Sequence, residues 1–445
     1  MARKKKLSSS ITYKPAGPRA PERWVFRGRA GIDPHTDKPL WDVVTFYDES
    51  EAIEYDAQHS LKSARGSLTG RPARFTVAEA IDEWAEIQSA DRDTVTIYLD
   101  LLQPVKDAYG TLPVRRLHKT QIAKLAQQLH AGTCPHLSPS GNKRTPWSTA
   151  VVNKMLSRLD SVLKGLRDEG FLEANHAALV PRFKKRALPV AATPTPKRET
   201  FLVGEVNEVS TILAGALAHS LNLFILCVLA FLGLRKGEIG GLRWDRIDLD
   251  AGRCWVIEQR KPNRLSAKKR PEGESGTRDD TVKSEASERE LPLPPSAVAV
   301  LKLVLRWQRE RHLASGRRWG VDGAPPTHVV VNEHTGRAVS GGYPYSRWAV
   351  LVKSLPVMYL SLHKARKTCG TQLALQPGIG PHHVGAWLGH EALGSIASPV
   401  TGIYIDADEE FRQAAAVAWE QVFGPLVTSC DTLGAYEREK ALFAA

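Results

Sequence analysis

The sequence predicts a mainly helical, multi-domain chain with small β-sheets, and three observations carry the prediction. A chain of 445 residues is too long for one hydrophobic core. Apolar residues recur at helical spacing through long stretches broken by Pro and Gly. A few short runs of alternating apolar residues, early in the chain and again past its middle, read as strands.

The first element is a basic arm, MARKKKLSSS, which lacks the apolar stretch of a secretory signal. RWVFRGRAG and PLWDVVTFY then read as two strands joined by IDPHTDK, and a helix follows from about Ser50 to Ala64. Arg23, Arg27 and Arg29 fall on this small sheet, so residues 1–66 present a cationic surface suited to a phosphate backbone. The plainer reading of the same residues is a solvated arm on a structural module.

Residues 75–185 read as a compact helical domain. It opens with FTVAEAIDEWAEI, where Thr76 can cap and Glu79 stands at capping-box distance, with Ala80, Ile81, Trp84 and Ile87 along one face. TVTIYLDLLQPVKDAYG, KTQIAKLAQQLH and STAVVNKMLSRLDSVLKGLRDEG supply the remaining helices. The loop TCPHLSPSGNKRTP carries Lys143 and Arg144, two further candidate DNA contacts. Cys134 and His136 in that loop, with His130, lack metal-site spacing and a fourth ligand, so no zinc is expected.

Residues 186–199, RALPVAATPTPKRE, have a linker's composition. A third domain is expected over residues 200–425, leaving 426–445 as a tail. Its apolar run ILAGALAHSLNLFILCVLAFLGL is long enough to span a bilayer and has no acidic or basic residue except His219. His219, Ser220 and Asn222 interrupt it, and the remainder of the chain is polar, so a buried helix or helix pair is expected rather than a membrane partner. Strands follow at RCWVIEQ, ERELPLP and THVVV, with the helix VAVLKLVLRWQRERH between the last two. In the final helix, DEEFRQAAAVAWEQVFG, Phe411, Ala415, Val417 and Trp419 could pack on this domain or on a neighbouring copy.

Composition narrows the partner. With 61 Lys+Arg against 48 Asp+Glu the formal charge is +13, which favours a polyanion, nucleic acid before anionic membrane. The five cysteines are scattered and odd in number, which argues against a disulfide framework and for a reducing cytoplasm.

Four short stretches hold residues suited to phosphate chemistry. In LRKGEIGGLRWDRID, Arg235 offers a fork of donors and Glu238 can hold it. In KSEASERELPL, Lys283 precedes a turn and strand, with Lys268 and Lys269 nearby as alternatives. In HKAR, His363 and Arg366 share a helical face. LGH and GIY then bring His390 and Tyr404. Together these positions resemble the tyrosine recombinases of the phage integrase family, in family order across about residues 200–425.

That resemblance implies a site-specific DNA recombinase with arm-type, core-binding and catalytic domains. It makes Arg235 and Arg366 the catalytic arginines, Lys283 the hairpin lysine, His363 and His390 further active-site groups, and Tyr404 the nucleophile. It also implies a 3′-phosphotyrosyl intermediate, no metal or other cofactor, attachment-site DNA as partner, a tetramer on that DNA, and possible accessory bending or directionality factors. It implies a bacterial cytoplasm, with the enzyme at the nucleoid. Two other readings stay open: a DNA-binding accessory factor without catalysis, and a relaxing type IB topoisomerase. The loop from Arg260 to Thr281 and the segment between His390 and Tyr404 are both longer than is usual in the family.

Overall fold

The computed structural model describes residues 8–17, 20–32, 39–64, 74–138, 141–184, 198–204, 207–263, 277–281, 287–389 and 408–444. It divides into two compact units, residues 1–192 and 193–445.

The first unit begins with an antiparallel sheet of β1 (Ile11–Lys14), β2 (Arg23–Ile32) and β3 (Pro39–Phe46). β1 is an addition to the expected pair. Helix α1 (Glu49–Ala64) covers the sheet face that carries Phe26, with Ile11 and Ala52 buried beside it and Tyr55 donating to Asp42 at 2.7 Å. Alternation along the strand sends Arg27 and Arg29 to the opposite face. There the Arg27 guanidinium lies 4.8 Å from the Trp41 ring centroid, and both side chains are exposed.

A second cluster in this unit is built by α2 (Val77–Glu86), α3 (Arg92–Tyr109), α4 (Lys119–Ala131) and α5 (Thr149–Asp168). The capping box that starts α2 is present: the Glu79 N–H donates to the Thr76 hydroxyl and the Thr76 N–H to the Glu79 carboxylate. The buried side of α2 is Val77, Ala80, Ile81 and Ala85, with Trp84 partly buried. Ile87, expected on that side, is exposed because the helix ends one residue earlier.

In the second unit the long apolar run is two helices, α6 (Glu208–His219) and α7 (Leu221–Phe231). Ser220 closes one and caps the other, its hydroxyl accepting the Leu223 N–H at 3.1 Å. α7 is buried on every side. Among the described residues no helix is long and apolar enough to cross a membrane.

α8 (Lys236–Gly241) follows, then β4 (Ile247–Asp248), β5 (Arg253–Val256) and β6 (Glu258–Pro262). The single strand expected at RCWVIEQ is thus two, serving different sheets. β5 lies between β4 and β8 (Arg289–Pro292), while among the described strands β6 pairs only with β7 (Thr277–Thr281).

After α9 (Pro295–Ala314) the expected strand THVVV forms isolated bridges instead. Its backbone is satisfied largely by side chains: Asn222 accepts the Val331 N–H at 3.0 Å and donates to the Val331 carbonyl at 2.8 Å, and Gln308 donates to the Val329 carbonyl at 2.9 Å. Buried amides here replace a sheet ladder.

The remaining helices are α10 (Tyr343–Ser354), α11 (Leu362–Ala374), α12 (Pro381–Leu388), α13 (Asp408–Thr428) and α14 (Thr432–Ala444). Ala415 and Trp419 of α13 are buried in this unit's own core, whereas Val417 is exposed. Within residues 426–445, expected as a tail, the described residues instead finish α13 and form α14, whose Ala435 and Tyr436 join the same core. The start of the unit is clipped to α11. Glu199 pairs with Lys364 and Lys367, the Phe201 N–H donates to the Thr368 hydroxyl at 2.9 Å, and the Phe201 ring is buried against Phe231 and Trp348.

Asn222→Ala is expected to destabilise the second unit by about 2–4 kcal/mol, because it leaves the Val331 N–H and C=O without partners. Urea denaturation of the full chain measures this; an unchanged midpoint would mean that the two bonds contribute nothing.

Candidate active site

Gly233 turns the chain out of α7 at φ +95°, in a region L side chains rarely adopt. A Cβ there would also come within 2.7 Å of Leu388. Its carbonyl accepts from Arg366 Nη1 at 2.5 Å, and two residues later Arg235 occupies the N-cap of α8. The Arg235 N–H donates to Glu238 Oε2 at 2.9 Å and its Nη1 to Glu238 Oε1 at 2.7 Å, closing a ring across the first turn of the helix. Nη1 also reaches the Ser287 hydroxyl at 3.3 Å.

The other wall is the C-terminus of α12. Gly389 ends that helix in the left-handed conformation, φ 64°. The last carbonyls of a helix lack intrahelical donors and carry the negative end of its dipole. Here three successive carbonyls each accept from a different arginine: Trp387 from Arg289 Nε at 3.0 Å, Leu388 from Arg366 Nη2 at 2.5 Å, and Gly389 from Arg235 Nη2 at 2.9 Å. Arg289 Nη2 also donates to Glu238 Oε2 at 3.0 Å. Three guanidiniums therefore gather at one helix end around one carboxylate.

Burial would raise the Glu238 pKa, but Arg289, the Arg235 N–H and Arg366 outweigh it and hold the carboxyl at about 2. Burial and the neighbouring Arg235 lower Arg366 to about 9, so it remains charged at neutral pH. Arg366 is buried, whereas the Arg235 side chain is 34% exposed and forms the open side of the cluster. A desolvated excess of positive charge of this kind binds an anion.

His363 lies one turn before Arg366 on α11 and is exposed. Partial burial, then Arg366, Lys364 and Arg235, lower its pKa, leaving a neutral imidazole able to accept a proton at neutral pH. Tyr343 is a poor competing nucleophile: burial pushes its phenol up to about 12, and its oxygen lies 3.4 Å from the Asn222 side-chain nitrogen.

Of the six residues expected to act, Arg235, His363 and Arg366 come together as described. Lys283, His390 and Tyr404, together with the alternatives Lys268 and Lys269, lie outside the described residues. Sequence reasoning missed Arg289. Its signal was a cation in register with Leu291 on the inward face of a strand, where an apolar residue belongs. Of the candidate DNA contacts, Arg27, Arg29 and Lys143 are exposed and Arg23 is half-buried. Arg144 is buried, with Nη2 on the Asp107 carboxylate at 2.6 Å, so its charge is already committed within the first unit.

Residues 205–410 match the model of the phage integrase family. A tyrosine recombinase XerC-like protein of Caldanaerobacter subterraneus subsp. tengcongensis is 28% identical over 241 residues, covering 53% of this chain and 58% of that relative. The match thus spans less than two thirds of the relative's length. Among solved structures, the Tn1549 transposon integrase in complex with transposon right end DNA is similar in fold, with TM-score 0.52, 16% identity, and coverage of 75% of this chain and 99% of that one. The same integrase with a circular intermediate DNA has TM-score 0.52 and 15% identity, covering 74% of this chain and 99% of that one.

Without DNA, His363 is expected to protonate at lower pH than an ordinary histidine, and an anion held by Arg235 and Arg366 is expected to raise it. An NMR titration of the histidine ring carbons reads both shifts. A value at or above the ordinary one in the free protein would contradict the electrostatics described.

Proposed function

From the match of residues 205–410 to the phage integrase family model, we propose that the chain is a tyrosine recombinase of that family, a site-specific DNA recombinase acting through a 3′-phosphotyrosyl intermediate. The observation that carries the proposal is the meeting of Arg235 and Arg366 on adjacent carbonyls of α12, with His363 one turn away. Two forked cations side by side suit the two non-bridging oxygens of one phosphodiester.

In this mechanism the Tyr404 oxygen attacks the scissile phosphorus and the bond from phosphorus to the 5′ oxygen breaks. Tyrosine has an ordinary pKa of about 10, so its proton must leave as attack proceeds, and His363 is the neutral acceptor. Arg235, Arg366 and His390 stabilise charge building on the phosphate, with most of the orienting done before DNA arrives. Lys283 gives a proton to the departing 5′ oxygen. That hydroxyl, or one from a partner strand, then attacks the phosphotyrosine and returns the phenol, so the bond energy is conserved.

The first unit is proposed to grip attachment-site DNA. Arg23, Arg27 and Arg29 on the open sheet face and Lys143 contact phosphate or base edges, whereas Arg144 supports the loop through Asp107. Strand exchange needs two duplexes, so the working assembly is a tetramer on DNA, with accessory factors setting direction. The working compartment is a bacterial cytoplasm, at the nucleoid.

On a nicked suicide duplex the wild type is expected to become covalently attached to DNA, and Tyr404→Phe to form no adduct while still binding; a denaturing gel distinguishes them. An adduct persisting in the phenylalanine variant would defeat the assignment. Arg27→Ala is expected to lower the slope of log affinity against log salt by about one, as loss of one phosphate contact does, without altering cleavage at saturating protein. An unchanged slope would remove Arg27 from the DNA surface.

A further inference from the structure

We propose that Arg289 is a positioning residue for cleavage, locking Glu238 and the end of α12 in the arrangement that presents Arg235 and Arg366 to one phosphate. The proposal rests on the recombinase reading above. Arg289 stands at the start of β8, where its side chain is 2% exposed. Its three nitrogens reach three segments: Nε the Trp387 carbonyl, Nη1 the Ser287 carbonyl at 3.0 Å, and Nη2 the Glu238 carboxylate.

With every nitrogen engaged and so little exposure, Arg289 is not the group that meets DNA. Each bond it makes is one step from a group that does. Glu238 holds the backbone and the guanidinium of Arg235. Trp387 directly precedes Leu388 and Gly389, whose carbonyls hold Arg366 and Arg235. Ser287 carries the hydroxyl that Arg235 also touches, and in sequence it follows Lys283 by four residues. One planar, rigid fork thus ties β8, α8 and α12 together, and a single ammonium cannot reproduce three such directions.

Glu238 is faced by Arg235 from its own helix, Arg289 from β8, Arg366 from α11 and the Cys254 thiol from β5. Loss of Arg289 removes its strongest partner while burial persists. Its carboxyl should then keep its charge only at higher pH, so the cleavage rate should fall off earlier as the solution is acidified.

The test uses full-length wild type, Arg289→Lys and Arg289→Gln on the nicked suicide duplex. The single-turnover rate of adduct formation is followed against pH at saturating protein, alongside DNA affinity and the unfolding midpoint. The expected result is affinity within about twofold of wild type, with rates lowered about 10-fold for Arg289→Lys and about 100-fold for Arg289→Gln, as misplacement of catalytic groups by up to about 1 Å produces. The acid side of the rate profile should move to higher pH in Arg289→Gln, and adding Glu238→Gln should abolish that movement. If Arg289→Gln does not fold, Arg289→Lys decides alone. Wild-type rate and profile in Arg289→Lys overturn the proposal, as does a loss of rate that only mirrors weaker DNA binding at every pH. A wild type that forms no adduct overturns the recombinase reading itself.

Discussion

The second unit depends on how the C-terminal carbonyls of α12 are satisfied. A helix end buried without donors would be costly, since each orphan carbonyl loses its hydration. Arginines fill the vacancy here, one for each of three successive carbonyls. The same bonds orient the guanidiniums, so completing a helix and assembling a cationic site are one physical act. Gly389 makes this possible by turning left-handed at the helix end.

Such a cluster would repel itself without a counterion. Glu238 provides one, fully ionised and nearly inaccessible, and the partial negative charge of the helix end provides part of another. Positive charge is still in excess, and it lies toward Arg235, the most open of the three cations. The substrate phosphate completes the charge balance, so binding energy and transition-state stabilisation draw on the same preorganised field. His363, at the rim, has its proton affinity lowered by partial burial and then by that field, and is therefore a base rather than another cation.

Much of this was legible in the sequence because it is local. The capping pair Thr76 and Glu79, the pairing of Arg235 with Glu238 and the shared face of His363 and Arg366 all follow from spacings of three residues. The two halves of the apolar run divide at the polar residues that interrupt it. What was not legible is long-range. Nothing near Arg289 in the sequence says that its partners are Glu238 and Trp387, and nothing near Val331 says that Asn222 will take the place of a neighbouring strand. Arg144 looked like its exposed neighbour Lys143 until the fold brought Asp107 beside it. α14 reads as a tail in the sequence because its apolar residues are useful only against a surface that the rest of the unit creates.

The clip at the start of the second unit gives the chain a mechanical property. Glu199 and Phe201 are fastened to Lys364, Lys367 and Thr368, which alternate along α11 with the two residues of the site. Arg198, one residue earlier, is fastened to Glu208 of α6, so a pull on this segment is shared between α6 and the helix that bears His363 and Arg366. A tether so attached is also a lever.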